Sequence, residues 1–330
     1  MVQDMRKIRR KKERRYLTPL LFILNLFLWG SAIYLWMQDV DRPPQMVDNF
    51  AVEAEIYVQE ALETDHLATF SVLSYEDVGV NLYSRNALLI NLDTGEILFD
   101  HRGKERVYPA SVTKIMTVLV GLEYSNSDEL VVYADFDALL LANAAIVGFE
   151  FGEIRTLSEV LHATMLASGA DATTTLAYHI AGSYQGFVDL MNETAMRLGM
   201  YDTNFANASG LHDENHYTTA YDTAILLEYA LDHAYFREIF TAEVYPFTNS
   251  EGYEQLMYST MFLGMISPIF NGGEILGGKT GYTTPAGLCL ASIATNGTHE
   301  FALITFGAPN HGYTHIADAF AVYEYFFSLE

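Results

Sequence analysis

The residue pattern predicts an α+β domain, one sheet made from strands at both ends of the chain with helices between them, preceded by a single transmembrane helix. Three observations carry this expectation. Apolar runs bounded by turn signals occur at 86–100 and again after 287. Apolar residues at helical spacing fill much of 111–231. An uncharged stretch from Leu17 to Met37 follows a dense basic block. Strands at the two ends with helices in the middle suggest one mixed sheet whose first and last segments pair.

The 330 residues carry a net charge of −24, distributed unevenly. Residues 1–15 hold eight of the eighteen Lys and Arg, so the remainder has ten basic residues against forty acidic ones. A nucleic-acid surface needs clustered cations on the folded part, and none is visible, so no nucleic-acid partner is expected. The 21 residues from Leu17 to Met37 carry no charge. As a helix they span roughly 30 Å of hydrocarbon. With the basic block retained in the cytoplasm, the rest of the chain is expected outside the cell membrane in single-pass topology. Trp29, Tyr34 and Trp36 lie towards the outer end, where amphipathic aromatics anchor. A cleaved signal peptide would have a shorter apolar core and a small-residue cleavage site. Here the run ends in Trp36-Met37-Gln38-Asp39, which favours an uncleaved anchor. The expected organisation is a basic cytoplasmic tail over 1–16, a signal anchor over 17–37, a spacer over 38–84 and a folded domain over 85–330.

Within that domain Ala87–Leu92 and Glu96–Asp100 flank Asp93-Thr94-Gly95, which reads as a β-hairpin. Arg102 to Pro109 is a loop. Ser111 opens a helical run through Ile115, Met116, Val118, Leu119 and Leu122, with Gly121 near its end. Thr156-Leu157-Ser158-Glu159 has the form of a capping box and starts a second helix that breaks at Ser168-Gly169. Further helices are expected over Asp171–Ile180, Phe187–Leu198 and Thr218–Leu231. Strands follow at Leu288–Ile293 and Phe301–Phe306, around a turn at Asn296-Gly297, and a last helix over His315–Phe327. Cys289, the only cysteine, reads as a small buried hydrophobe and excludes an internal disulfide. His212 and His216 stand four residues apart in a polar loop with no third ligand apparent, so no metal and no cofactor is expected.

Beyond residue 15 only three lysines remain, Lys104, Lys114 and Lys279. Two of them fall in Ser111-Val112-Thr113-Lys114 and Lys279-Thr280-Gly281, the Ser-x-x-Lys and Lys-Thr-Gly strings of penicillin-recognising serine enzymes. A serine becomes nucleophilic when a neighbour takes its proton. Positions i and i+3 share a helix face, so Lys114 can reach the Ser111 hydroxyl. It must be neutral to do so. Burial beside a second cation lowers a lysine pKa, and Lys279 is the expected cation. Gly277, Gly278 and Gly281 leave the Lys279 strand edge unencumbered, so that an extended ligand can pair with it while Lys279 and Thr280 bind a carboxylate.

Tyr108 through Thr117 and Gly278 through Thr283 resemble the D-alanyl-D-alanine carboxypeptidases, the low-molecular-mass penicillin-binding proteins of the serine peptidase class. The resemblance extends to Leu92-Asp93-Thr94-Gly95, Ser209-Gly210-Leu211, His216-Tyr217-Thr218-Thr219-Ala220 and Gly307-Ala308-Pro309, and covers roughly residues 85–328. It implies a β-lactamase/transpeptidase-like fold, an antiparallel sheet flanked by helices. It implies that Ser111 is acylated, that Lys114 accepts its proton and that Ser168 relays a proton to the leaving amine. Lys279 and Thr280, with Gly281 following, would hold the substrate carboxylate. The backbone N–H groups of Ser111 and Tyr282 would form the oxyanion hole. The implied substrate is the peptidoglycan stem pentapeptide ending in D-Ala-D-Ala, with β-lactam antibiotics as covalent inhibitors. The family's middle motif is Ser-x-Asn, whereas this chain has Ser168-Gly169-Ala170. Asp171 is not expected to replace the missing amide, because adjacent helix residues do not share a face. Two rival readings are a β-lactamase or esterase on the same fold, and a catalytically weak wall-binding scaffold motivated by Ala170.

Overall fold

A computed structural model describes residues 79–126, 128–135, 144–249 and 251–329. The cytoplasmic tail, the signal anchor and most of the spacer expected from the sequence lie outside these residues. Among the described residues no helix is long and apolar enough to cross a membrane.

The first hairpin forms as expected. β1 (Asn86–Asn91) pairs antiparallel with β2 (Ile97–His101) around Gly95, whose φ of 69° suits the tight turn. A 3₁₀ turn (Ala110–Thr113) then leads into α1 (Lys114–Tyr124). The ribbon β3 (Leu130–Val132) and β4 (Ile154–Thr156) precedes α2 (Leu157–Met165), which starts with the expected capping box between Thr156 and Glu159. There follow α3 (Ala170–Ala181), α4 (Tyr184–Arg197), α5 (Ala220–Leu231) and α6 (Ala234–Thr241). A second ribbon, β5 (Val244–Thr248) with β6 (Glu254–Tyr258), precedes the short β7 (Ile269–Phe270). The chain closes with β8 (Gly273–Thr283), β9 (Gly287–Thr295), β10 (Glu300–Ala308) and α7 (Thr314–Phe327).

The main sheet has the order β2-β1-β10-β9-β8-β7, and the first strand pairs with the last, Leu88 opposite Ile304. It is wholly antiparallel rather than mixed. The connections explain this. Residues 284–286 and 296–299 are too short to return the chain for a parallel pairing, which needs a crossover of a dozen residues or more.

Both faces of the sheet are covered. Leu88, Ile90, Ile293 and Ile304 face a core shared with α1, α2, α3 and α5, while Ala87, Leu89, Leu290 and Leu303 face α7 through Ala319, Val322 and Tyr323. That is why β1 is apolar at consecutive positions instead of alternating. Burying each such large side chain is worth roughly 1.5–3 kcal/mol. Asp318 of α7 accepts hydrogen bonds from the backbone of Tyr83 and Ser84 at 2.8 Å each, which ties the start of the domain to its last helix. α1 runs through the middle of the helical layer and is buried continuously from Lys114 to Leu122. A lysine at the head of a fully buried helix is held away from water by the packing of everything after it.

Candidate active site

Ser111 sits in the 3₁₀ turn, and the tighter winding there carries its hydroxyl over the first residue of α1. Lys114 Nζ lies 3.0 Å from Ser111 Oγ. The same nitrogen donates to the carbonyl of Ser209 at 2.6 Å. Burial pushes Lys114 down to about 7, and the buried carboxylate of Asp171 opposes part of that shift. Lys279 is completely buried and likewise held well below its ordinary value, first by burial and then by the charge of Lys114. Two ammonium groups so placed each disfavour the other's charged form. A neutral Lys114 has two N–H groups and one lone pair. With one N–H on the Ser209 carbonyl, its lone pair is free to face the Ser111 hydroxyl, the geometry of a general base.

The loop that supplies Ser209 is fitted closely to the turn that carries Ser111. Gly210 has φ +81°, and a Cβ there would come within 1.9 Å of the Ala110 carbonyl oxygen. Ala110 itself has φ +47°, uncommon for a residue other than glycine. Thr117 donates to the Ala208 carbonyl at 2.7 Å, so the loop grips α1 at successive turns. Asn207 stiffens the loop, accepting from the Gly210 N–H at 2.8 Å and donating to the Leu211 carbonyl at 2.8 Å.

β8 lies against the other side of Ser111. Alternate strand residues point to opposite faces, and the contacts follow that rule. Gly277, Lys279 and Gly281 face the helices, and a Cβ on Gly281 would stand 2.8 Å from the Ser111 nitrogen. Gly278 faces Met261, and the Thr280 hydroxyl lies 2.7 Å from that of Thr260. The three glycines admit the protein's own neighbours on the two faces of the strand, Phe240 at Gly277, Met261 at Gly278 and Ser111 at Gly281. β7 pairs with β8 only at Gly273 and Glu274. Lys279 donates to the Thr280 carbonyl at 2.9 Å, and Tyr282 is exposed beside it.

Ser168 occupies the turn between α2 and α3, almost buried and with φ +60°. Ala170 opens α3, its N–H donating to the Ala145 carbonyl at 2.8 Å. Asp171 is fully buried and accepts from the backbone of Val147 at 3.1 Å and Gly148 at 3.0 Å. Its carboxylate is thus engaged by the neighbouring loop. The structure brings Ser111, Lys114, Lys279 and Gly281 together, with Ser209 and Thr260 as contributors the sequence reading did not assign. Ser209 acts through a backbone carbonyl, which leaves no residue-type signal. Thr260 lies in a loop without a recognisable pattern.

Comparison with known proteins accords with this arrangement. Residues 74–310 match the family model described as D-alanyl-D-alanine carboxypeptidase. The chain is 34% identical over 230 residues to D-alanyl-D-alanine carboxypeptidase DacF of Bacillus subtilis, covering 68% of this chain and 57% of the relative. It is 29% identical over 238 residues to D-alanyl-D-alanine carboxypeptidase DacC of Escherichia coli, covering 68% and 56% respectively. The chain thus spans a little over half the length of these curated relatives. A crystal structure of a D-alanyl-D-alanine carboxypeptidase from Mycobacterium tuberculosis superposes with a TM-score of 0.67 at 26% identity, covering 76% of this chain and 93% of the other. With a family model matched over most of its folded part, and a Ser-x-x-Lys pair packed against a Lys-Thr-Gly strand, this chain belongs to the D-alanyl-D-alanine carboxypeptidase family.

Proposed function

We propose that this protein is a serine D-Ala-D-Ala carboxypeptidase that removes the terminal D-alanine from peptidoglycan stem pentapeptides. The observation that carries the reading is Lys114 Nζ at 3.0 Å from Ser111 Oγ, on a lysine that burial brings to about 7. Ser111 Oγ attacks the carbonyl between the two D-alanines while its proton passes to Lys114. The carbonyl oxygen takes the negative charge and is met by the N–H groups of Ser111 and Tyr282. The C–N bond then breaks, a proton delivered through Ser168 completes the leaving amine, and water hydrolyses the ester. The buried Lys279 gains a counter-charge when the substrate carboxylate arrives, with Thr280 as the second contact. Each oxyanion donor of this kind is worth about 2.7–4 kcal/mol.

The test is covalent labelling with a fluorescent penicillin. Stable labelling supports the peptidase, rapid loss of label a β-lactamase, and no labelling a wall-binding scaffold. The last reading is favoured by one observation, Ala170 in place of the asparagine. A hydrogen-bonding amide contributes about 0.5–1.5 kcal/mol net, roughly a tenfold change in rate or less. Ala170→Asn is therefore expected to raise kcat/KM on a D-Ala-D-Ala peptide by a modest factor. A slower mutant would show that the pocket has been rebuilt around alanine.

The uncharged run Leu17–Met37 and its basic flank support anchoring of the full-length protein in the cell membrane with the catalytic domain outside. The protein should stay with membranes through a high-salt wash. Recovery of a soluble form beginning between Met37 and Ala51 would point to a cleaved signal instead.

A further inference from the structure

The buried ring of His216 connects two segments distant in sequence, and its hydrogen bonds can be assigned by counting protons. His216 is 1% exposed, its Nδ1 is 3.0 Å from the Ala206 N–H and its Nε2 is 2.7 Å from Thr113 Oγ1. The Ala206 N–H can only donate, so Nδ1 carries no proton and the ring proton of the neutral imidazole sits on Nε2. Nε2–H therefore donates to Thr113 Oγ1. The single hydroxyl proton of Thr113 is then directed to the Ala110 carbonyl, 2.7 Å away. The result is one directed chain from the Ala206 N–H through His216 and Thr113 to the carbonyl oxygen of the residue before Ser111. That residue is the one held at φ +47°.

We infer that His216 is a positioning residue for acylation: as a neutral Nε2–H imidazole it fixes, through Thr113, the Ala110–Ser111 peptide whose Ser111 N–H must meet the developing oxyanion. In the sequence His216 stands out by its spacing from His212 and by its place at the head of the His216–Ala220 string. Both ring nitrogens are in fact engaged in hydrogen bonds. The groups that face the ring electrostatically are Asp213, Lys114 and His212. Burial is the first cause that lowers His216, to about 4, and it keeps the ring neutral where Lys114 begins to lose its proton. A protonated ring would turn an Nδ1–H against the Ala206 N–H and break the chain at its start. Phe205 packs edge-on to the ring at 5.7 Å and holds its plane.

This inference rests on the acyl-transfer reading of Ser111, and the experiment separates the two. The rate of penicillin acylation is measured in wild type, His216→Leu, Thr113→Val, the double mutant and Thr113→Ser. Either single loss of the chain is expected to slow acylation about tenfold, with little change in the noncovalent affinity for penicillin. The double mutant should be no slower than the worse single one, because both cut the same chain. Thr113→Ser keeps the hydroxyl and should recover most of what Thr113→Val loses. The acid limb of the pH profile should stay where Lys114 places it in every variant. Wild-type rates in His216→Leu, defects that multiply in the double mutant, or an acid limb that moves with His216 would overturn the positioning role. Should His216→Leu fail to fold, the Thr113→Val and Thr113→Ser pair decides the same point. A wild-type protein that takes no penicillin would refute the acyl-transfer reading and remove this inference with it.

Discussion

Lys114→Met should lower the rate of acylation by roughly 10²–10⁴-fold, the usual contribution of a positioned general base. Folding should survive, since methionine fills similar space and takes no charge into the core. The pH dependence gives a sharper reading. In the proposed role Lys114 acts as a base only when neutral, and burial brings it to about 7. Acylation by wild type should therefore fall as pH drops through about 7, where the ammonium form takes over, and level off above it. In Lys114→Met that limb should vanish along with most of the rate. A mutant that kept the limb would assign it to another group. Stopped-flow acylation across pH 5–9 reads rate and limb together.

Gly210→Ala is expected to be among the most damaging single-methyl changes in the domain. Its φ of +81° costs an L-residue about 1–2 kcal/mol. The added carbon would also fall 1.9 Å from the Ala110 oxygen and 2.9 Å from the Ser111 nitrogen, backbone atoms with no side-chain freedom to yield. Overpacking of this kind adds about 1–3 kcal/mol. The mutant should unfold at a clearly lower temperature and label poorly, because the strain is delivered to the peptide that presents Ser111. Gly297→Ala supplies the control, since Gly297 also has positive φ, +89°, but nothing stands within 4 Å of a Cβ there. Its cost should be the conformational part alone, with acylation intact. Equal effects in the two mutants would mean that the contact between Gly210 and Ala110 carries no weight.

What could be read in the sequence and what could not divide along physical lines. The 86–101 hairpin, the capping box at Thr156 and the closing strands carry local signals, a turn glycine, a reciprocal cap and short connections, and each formed where it was expected. The ribbon over 244–258 was not foreseen. Its first strand contains Pro246, which argues against a central strand, and the two-stranded sheet places that proline where no further strand needs its missing N–H. α6 was missed because only Asp232 and His233 separate it from α5, and His233 caps it through a ring nitrogen at 3.4 Å from the Phe236 N–H. In the site, the spacing of Ser111 and Lys114 and the Lys279 string were legible because they depend on residue type. The Ser209 and Ala208 carbonyls were not, because any residue presents a carbonyl and only the fold decides where it points. The burial that lowers Lys114 is likewise set by the packing along α1, which composition does not reveal.

The most direct measurement is mass spectrometry of the folded protein after exposure to a penicillin, intact and then after proteolytic mapping. Wild type should gain one penicilloyl group, located on Ser111, and Ser111→Ala should gain none while unfolding at the wild-type temperature. An adduct on the Ser111→Ala protein, or a wild-type adduct on any other residue, would contradict the assignment of Ser111 as the nucleophile.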